Sequence, residues 1–407
     1  MSSKKKPIYL DYNATTPVDH AITKAMLPYL GAYFGNPSSS HAYGRQSKEA
    51  VEHARTRVVQ LIGAKPEEIV FTSGGTESDN HAIVGTILAS GKEKRHIITS
   101  QIEHPAVLNT CRYLEERFGF RVTYLPVDRH GSVNPQSVER AITKETVLIT
   151  IMHANNEVGT IEPIEEIGEI AHESGITFHT DAAQSCGKIP VNVDDLRVDL
   201  LTIAGHKLYA PKGVGALYVR DGIKLDSFIH GAGHEDGRRA GTENVPYIVG
   251  LGKACELARE KLPGYGERTK RLRDELHDAL LDGLGKNQVK LNGHPDRRLP
   301  NTLNISIRGI VGETLLEQLP EVAASTGSAC HSGSMDPSPV LLAMGVDREL
   351  ALGAIRVSLG RWTTAEEIAR ASRLIVERAR GQLRFCHVKV RLGMKMNTEI
   401  DRVQPHE

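Results

Sequence analysis

Val198-Asp-Leu-Leu-Thr-Ile-Ala-Gly-His-Lys207, running into Leu208-Tyr-Ala-Pro-Lys-Gly213, reads as a buried strand that closes on a lysine and meets a glycine-containing turn. Outward from it, from about residue 46 to 250, short β-branched runs alternate with amphipathic ones. The strand-like runs are 68–71, 96–99, 121–126, 147–152, 176–181 and 215–219; the helical ones are 47–61, 105–118 and 163–174. This alternation predicts an α/β chain with a mainly parallel sheet and helices on both faces. Ligands bind such sheets beyond the carboxyl ends of the strands. After about residue 255 the pattern changes. A charged helical stretch, 253–284, is expected to break near Pro263-Gly264. A strand at 302–307, a helix at 313–319, a polar loop and a last helix at 364–382 follow. They predict a second, smaller α+β domain.

The 407 residues carry 50 basic and 50 acidic side chains. A net charge of zero argues against a nucleic-acid or membrane partner. The run Lys4-Lys-Lys6 reads as a solvated tail, since no apolar segment follows it, and no stretch is apolar enough to span a bilayer. The cysteines, Cys111, Cys186, Cys255, Cys330 and Cys386, are odd in number and widely spaced. That speaks against a disulfide framework or a zinc site and fits a reducing, cytoplasmic compartment. Cys111 and Cys255 fall in helical patterns and read as packing residues.

Lys207 has company at the same sheet edge. Asp181 ends the run 176–181, and Thr72-Ser-Gly-Gly-Thr76 follows the run 68–71 and opens a helix. An amine, a carboxylate and an anion nest together suit pyridoxal 5'-phosphate. The amine attaches the aldehyde, the carboxylate keeps the pyridine nitrogen protonated, and backbone N–H groups at Gly75 and Thr76 hold the phosphate. The nest lacks P-loop spacing. His104 lies between a strand and a helix, where an imidazole stacks on a ring or simply sits in a loop. Asn155 and Gln184 lie at neighbouring strand ends and can donate to a ring oxygen; asparagine also favours turns for local reasons. Cys330 lies in Ala324-Ser-Thr-Gly-Ser-Ala-Cys-His-Ser-Gly-Ser-Met-Asp336, without helical or strand period. A thiol there is a candidate nucleophile or an ordinary surface thiol. Arg356, in a strand-like run, is either a bidentate clamp for a substrate carboxylate or one half of a structural salt bridge. His230 and His234 are separated by Gly-Ala-Gly, so they do not read as a metal pair.

Taken together these residues resemble the cysteine desulfurase family of pyridoxal-phosphate enzymes, fold type I. The blocks that carry the resemblance include Tyr9-Leu-Asp-Tyr-Asn-Ala-Thr-Thr-Pro17, Gly35-Asn-Pro-Ser-Ser39, Phe71-Thr-Ser-Gly-Gly-Thr76, Glu103-His104, Met152-His-Ala-Asn-Asn-Glu-Val-Gly159, His179-Thr-Asp-Ala-Ala-Gln184, Gly205-His-Lys207, Arg239-Ala-Gly-Thr-Glu-Asn244, Gly327-Ser-Ala-Cys330 and Arg356-Val-Ser-Leu-Gly-Arg361. The resemblance implies a seven-stranded sheet in a large domain, 15–260. It implies a small domain, 1–14 with 261–383, carrying the Cys330 loop, and a tail at 384–407. It implies that Lys207 binds the cofactor covalently and acts as base, that Asp181 pairs with the pyridine nitrogen, and that His104 stacks on the ring. Asn155 and Gln184 approach the phenolic oxygen. Gly75, Thr76 and His206 hold the phosphate, with Thr242 reaching in from the second subunit of a homodimer. Arg356, Asn36 and Asn13 bind substrate, and Cys330 takes the sulfur of L-cysteine as a persulfide for an acceptor or scaffold protein. Ala204 stands where many members have a serine that touches the phosphate, which removes one contact.

Ala204-Gly-His-Lys207, Gly241-Thr-Glu-Asn244, Ala329-Cys-His-Ser332 and Pro337-Ser-Pro-Val-Leu-Leu342 are also similar to selenocysteine lyases. A third reading is an assembly platform for a sulfur relay with little turnover.

Overall fold

The computed structural model describes residues 6–91, 93–327 and 336–391, with side chains as far as Arg384. Cys330, His331 and the side chain of Cys386 lie outside the described residues. The strands are β1 (Ile8–Tyr9), β2 (Ile69–Thr72), β3 (His96–Ser100), β4 (Arg121–Leu125), β5 (Thr146–Thr150), β6 (Thr177–Asp181), β7 (Leu200–Ala204), β8 (Gly215–Val219), β9 (Val289–Asn292), β10 (Thr302–Ile307), β11 (Val322–Ala323) and β12 (Ala354–Ser358).

β2 to β8 form one seven-stranded sheet in the order β2-β8-β7-β6-β5-β3-β4. Only β8 runs against its neighbours, pairing antiparallel with β2 and β7. The other pairs are parallel. Because β2 and β7 both oppose β8, they point the same way. The carboxyl ends of β2, β3, β5, β6 and β7 therefore lie on one edge, and so do the segments that follow them. β5, β7 and β8 are buried along their whole length, as expected of strands covered on both faces, while the edge strand β4 is half-exposed.

A second sheet, β12-β10-β9, is antiparallel. Its apolar cluster includes Ile8 and Leu10 beside β1, Leu272, Leu276 and Leu280, and Ile368 to Ala379 of the last helix. That helix, Ala365–Arg391, runs past the expected tail boundary at 384.

The break expected near Pro263-Gly264 does not occur. One helix runs from Val245 to Leu284 with Pro263 inside it. Proline removes one hydrogen bond and clashes with the preceding turn, at a cost of about 3 kcal/mol. Burial of Val249, Leu251 and Ala254 before it and Tyr265, Leu272 and Leu276 after it holds both halves in place.

The segment between β8 and this helix is tied down by a buried ion pair. Arg55 donates from Nη1 and Nη2 to the two carboxylate oxygens of Glu235, each at 3.0 Å. Glu235 Oε2 also accepts the Phe71 N–H at 2.9 Å. The backbone is left-handed at Glu235 (φ 48°) and Asp236 (φ 55°), and the pair holds that strained turn against β2. Glu235→Ala leaves the buried Arg55 with only the half-exposed Glu52 as its ionic partner, so unfolding should become easier by roughly 2–4 kcal/mol, read from denaturant titration.

Candidate active site

β7 ends at Ala204, and Gly205–Lys207 is a single 3-10 turn, so Lys207 stands just past the strand rather than on it. The turn swings its side chain back over the sheet edge. Lys207 Nζ donates to the main-chain carbonyl of Asn13 and, at 2.8 Å, to that of Ala14. Burial, and then the positive charge of Arg356, lower its pKa to about 8; Asp181 and Asp11 pull the other way. A lysine with that pKa is in part a free base near neutral pH.

Asp181 ends β6 and is buried. Its Oδ1 accepts the Ala183 N–H at 2.9 Å. Burial raises its pKa, and the charges of His104 and Lys207 oppose that rise. His104 caps the helix Pro105–Phe118, its Nδ1 accepting the Ala106 N–H at 3.2 Å, and keeps its ring exposed at the cleft. Below them lies a set of buried acids. Glu103 accepts from Ser100 Oγ at 2.6 Å and the Met152 N–H at 3.0 Å, and burial pushes its carboxyl up to about 8.

The helix Gly75–Ala89 starts directly after β2. Gly74 has φ 151°, in the region that favours glycine, and a Cβ on Gly75 would lie 3.2 Å from the Ala204 methyl. The Gly75-Thr76 backbone thus lies against the end of β7, one turn from Lys207. No side chain caps this helix. Its leading N–H groups, at Gly75, Thr76 and Glu77, have no intrahelical partner by geometry. His206 Nδ1 is 3.1 Å from Thr15 Oγ1, and burial lowers its pKa to about 4, so the ring is neutral at pH 7.

Asn155 is fully buried. Its Oδ1 accepts the N–H groups of Glu157 and Val158, and its Nδ2 donates to Ile102 O at 3.0 Å. Gln184 Nε2 donates to the Asn13 carbonyl at 2.9 Å, the same oxygen that receives Lys207. Asn13 also donates from Nδ2 to Thr302 Oγ1 and Asn156 O. Arg356 lies on β12; its Nη2 donates to Asp11 Oδ1 at 2.7 Å and its Nη1 to Asn156 O at 3.1 Å. Its buried Nε has no acceptor among the described residues. Arg356 is thus ion-paired to Asp11 and, among the described residues, keeps one donor without an acceptor.

Two expected residues stand apart. Asn36 is on an exposed turn, where its Oδ1 accepts the Ser38 N–H. Thr242 lines a small cleft with Thr72, Ser73, Gly213 and Arg239 rather than standing beside Lys207.

The residues leading into the Cys330 segment are anchored to the site. Ser325 exchanges main-chain hydrogen bonds with Arg356. A Cβ on Gly327 would lie 3.2 Å from Glu157 Oε2, and Ser338 Oγ, beyond the segment, donates to that same oxygen. Both stems thus meet at Glu157, next to Asn156. The three described cysteines are buried; burial pushes Cys111 and Cys255 up to about 12 and Cys186 higher still. None is poised as a thiolate.

Sequence reading missed Asp11, Glu157 and Lys188. Asp11 and Glu157 lay inside quoted blocks but without an assigned partner. Lys188 follows Gln184 by four residues in a segment with no clear period.

Residues 8–371 match the class-V aminotransferase family. The chain is 51% identical over 380 residues to "Cysteine desulfurase IscS" of Methanosarcina thermophila, covering 93% of each chain. Among solved structures it is similar to a NifS-like protein, with TM-score 0.85 and 39% identity, over 91% of this chain and 98% of the other. It is also similar to SspA in complex with cysteine, with TM-score 0.76 and 40% identity, over 88% of this chain and 99% of the other. The chain belongs to the class-V aminotransferase family and, within it, to the cysteine desulfurases.

Proposed function

We propose that this chain converts L-cysteine to L-alanine with pyridoxal 5'-phosphate, leaving the sulfur as a persulfide on Cys330. The observation that carries this is Lys207 at the sheet edge where the glycine turn opens its helix, with the charges of buried Asp181 and of Arg356 both acting on its amine.

The residues fit the cofactor. The uncapped helix start at Gly75 and Thr76 suits a phosphate, and a side chain on Gly75 would press on the Ala204 methyl and push that helix start off the strand end. His206 would lie beside the phosphate, and Thr242 would come from a second subunit. Asp181, buried and with a raised pKa, suits a shared proton with a pyridine nitrogen, and His104 offers its exposed ring face. When bound, the protonated ring supplies an electron sink for charge at the substrate α-carbon.

The chain's own residues do the rest. Arg356, with Asn13 and Asn36, holds the substrate carboxylate region. Lys207 takes the α-proton as a free base. Cys330 Sγ attacks the substrate sulfur: an S–S bond forms, the C–S bond breaks, and the thiol proton ends on the carbon that becomes the alanine methyl. The persulfide then passes to an acceptor protein, for iron–sulfur clusters or other thio-cofactors. Among the described residues no helix is long and apolar enough to cross a membrane. A cytoplasmic homodimer fits these roles.

Two results test this reading. The rate at which cofactor-free protein captures the aldehyde should rise with pH and reach half its plateau near pH 8, because a pKa lowered to about 8 leaves the amine protonated below that point. A midpoint near the ordinary lysine value would contradict the assignment. Arg356→Lys should raise KM for L-cysteine roughly 10–100-fold while kcat changes less, since lysine lacks the planar fork. An unchanged KM removes Arg356 from the substrate site.

A further inference from the structure

Lys188 lies in the segment between β6 and β7 and is only 5% exposed. Its Nζ donates to Gln184 Oε1 at 2.6 Å and to Asn13 Oδ1 at 3.2 Å. Both acceptors are neutral amide oxygens. An ammonium carries three N–H groups and a neutral amine two. Two bonds therefore satisfy the neutral amine and would leave one donor of the ammonium without a partner at this depth. Burial and the nearby charges of Lys207 and Arg356 push its pKa well below the usual lysine value, in the same direction.

The amine also fixes the sense of two side chains. Gln184 must turn its oxygen toward Lys188, so its Nε2 faces the Asn13 carbonyl that receives Lys207. A flipped amide would set its oxygen against the Asn13 carbonyl and take from Lys188 the acceptor of its shorter hydrogen bond. Asn13 is likewise locked: its Oδ1 accepts from Lys188 and from Asn301 Nδ2 at 3.1 Å, and its Nδ2 donates to Thr302 Oγ1 at 2.8 Å.

We propose that Lys188 is a positioning residue: through Gln184 and Asn13 it keeps an N–H donor, not a carbonyl, facing the cofactor beside Lys207. This rests on the cofactor reading given above. An N–H directed at the cofactor's ring oxygen neutralises part of that oxygen's negative charge, so the lysine–cofactor link loses its proton more easily. Without that donor the link keeps its proton to higher pH.

The test is the visible absorbance of cofactor-loaded protein titrated with pH, for native protein, Lys188→Met, Gln184→Ala and the double variant. Lys188→Met should move the midpoint up by about 0.5–1 pH unit, the scale of one hydrogen bond to a charged group. Gln184→Ala should do the same, and the double variant should move no further than Gln184→Ala alone. A merely structural lysine would lower stability without this non-additivity. Lys188→Gln, which keeps N–H donors, should shift less than half as far; if Lys188→Met does not fold, the cycle runs on Lys188→Gln. A native-like midpoint in the Lys188 variants, or strictly additive shifts, overturns the proposal alone. A native protein that takes up pyridoxal 5'-phosphate without any visible absorbance overturns the cofactor reading and this proposal together.

Discussion

Replacing Lys207 with alanine is expected to lower alanine release from L-cysteine by at least about a thousandfold and to erase the visible absorbance of the bound cofactor. Two losses combine. The covalent anchor goes, and so does the base that removes the α-proton. No neighbour can stand in. Lys188 is the other lysine of the network, but its Nζ is held at Gln184 Oε1 and Asn13 Oδ1. His206, with a pKa lowered to about 4, is too weak a base, and it is held by Thr15. Lys207→Arg separates charge from basicity. It keeps the positive charge beside Asp181 but never presents a free base near pH 8, so it should fail as completely as alanine. The measurement is alanine formed with time beside a spectrum of each protein. Native-level alanine from Lys207→Ala would sink the assignment of this site.

The large sheet was legible because its strands are short β-branched runs bounded by turn residues. β8 and β10 and the helix Pro105–Phe118 were placed to the residue, the helix because a capping histidine and a proline mark its start and Gly119 its end. Lys207, Asp181 and the glycine turn were legible as a set because parallel strands bring their ends to one edge. What could not be read were contacts made by distant segments. Asp11 meets Arg356 from 345 residues away, and nothing local in either stretch announces it. Nothing in the sequence singles out Lys188; only the fold shows that it is buried against Gln184 and Asn13. Pro263 misled because its local cost is real, while the burial that outweighs it comes from two different cores. The strand before Lys207 was read three residues too far at its carboxyl end, since Gly205 and His206 extend the apolar run in sequence but turn in space.

Cys330→Ala is expected to remove alanine release from L-cysteine by about a hundredfold or more while cofactor loading and spectrum stay as in the native protein. The separation follows from where the stems lie. Ser325 pairs with Arg356 and Ser338 bonds to Glu157, so both stems are held at Arg356 and Glu157, the proposed substrate side, and neither bonds to the turn at Gly75 and Thr76 proposed to hold the cofactor. Cys111, Cys186 and Cys255 cannot replace the lost thiol, because burial holds each of them protonated at neutral pH. After exposure to L-cysteine the intact mass of the native chain should increase by one sulfur atom, and the variant should show no such gain. Selenocysteine sharpens the comparison. Selenium leaves more readily than sulfur, so the variant should keep far more of its turnover on selenocysteine than on cysteine. Native protein that is active on selenocysteine and silent on cysteine would move the chain to the lyase reading. A variant that makes alanine from cysteine at the native rate would show that the sulfur never passes through Cys330.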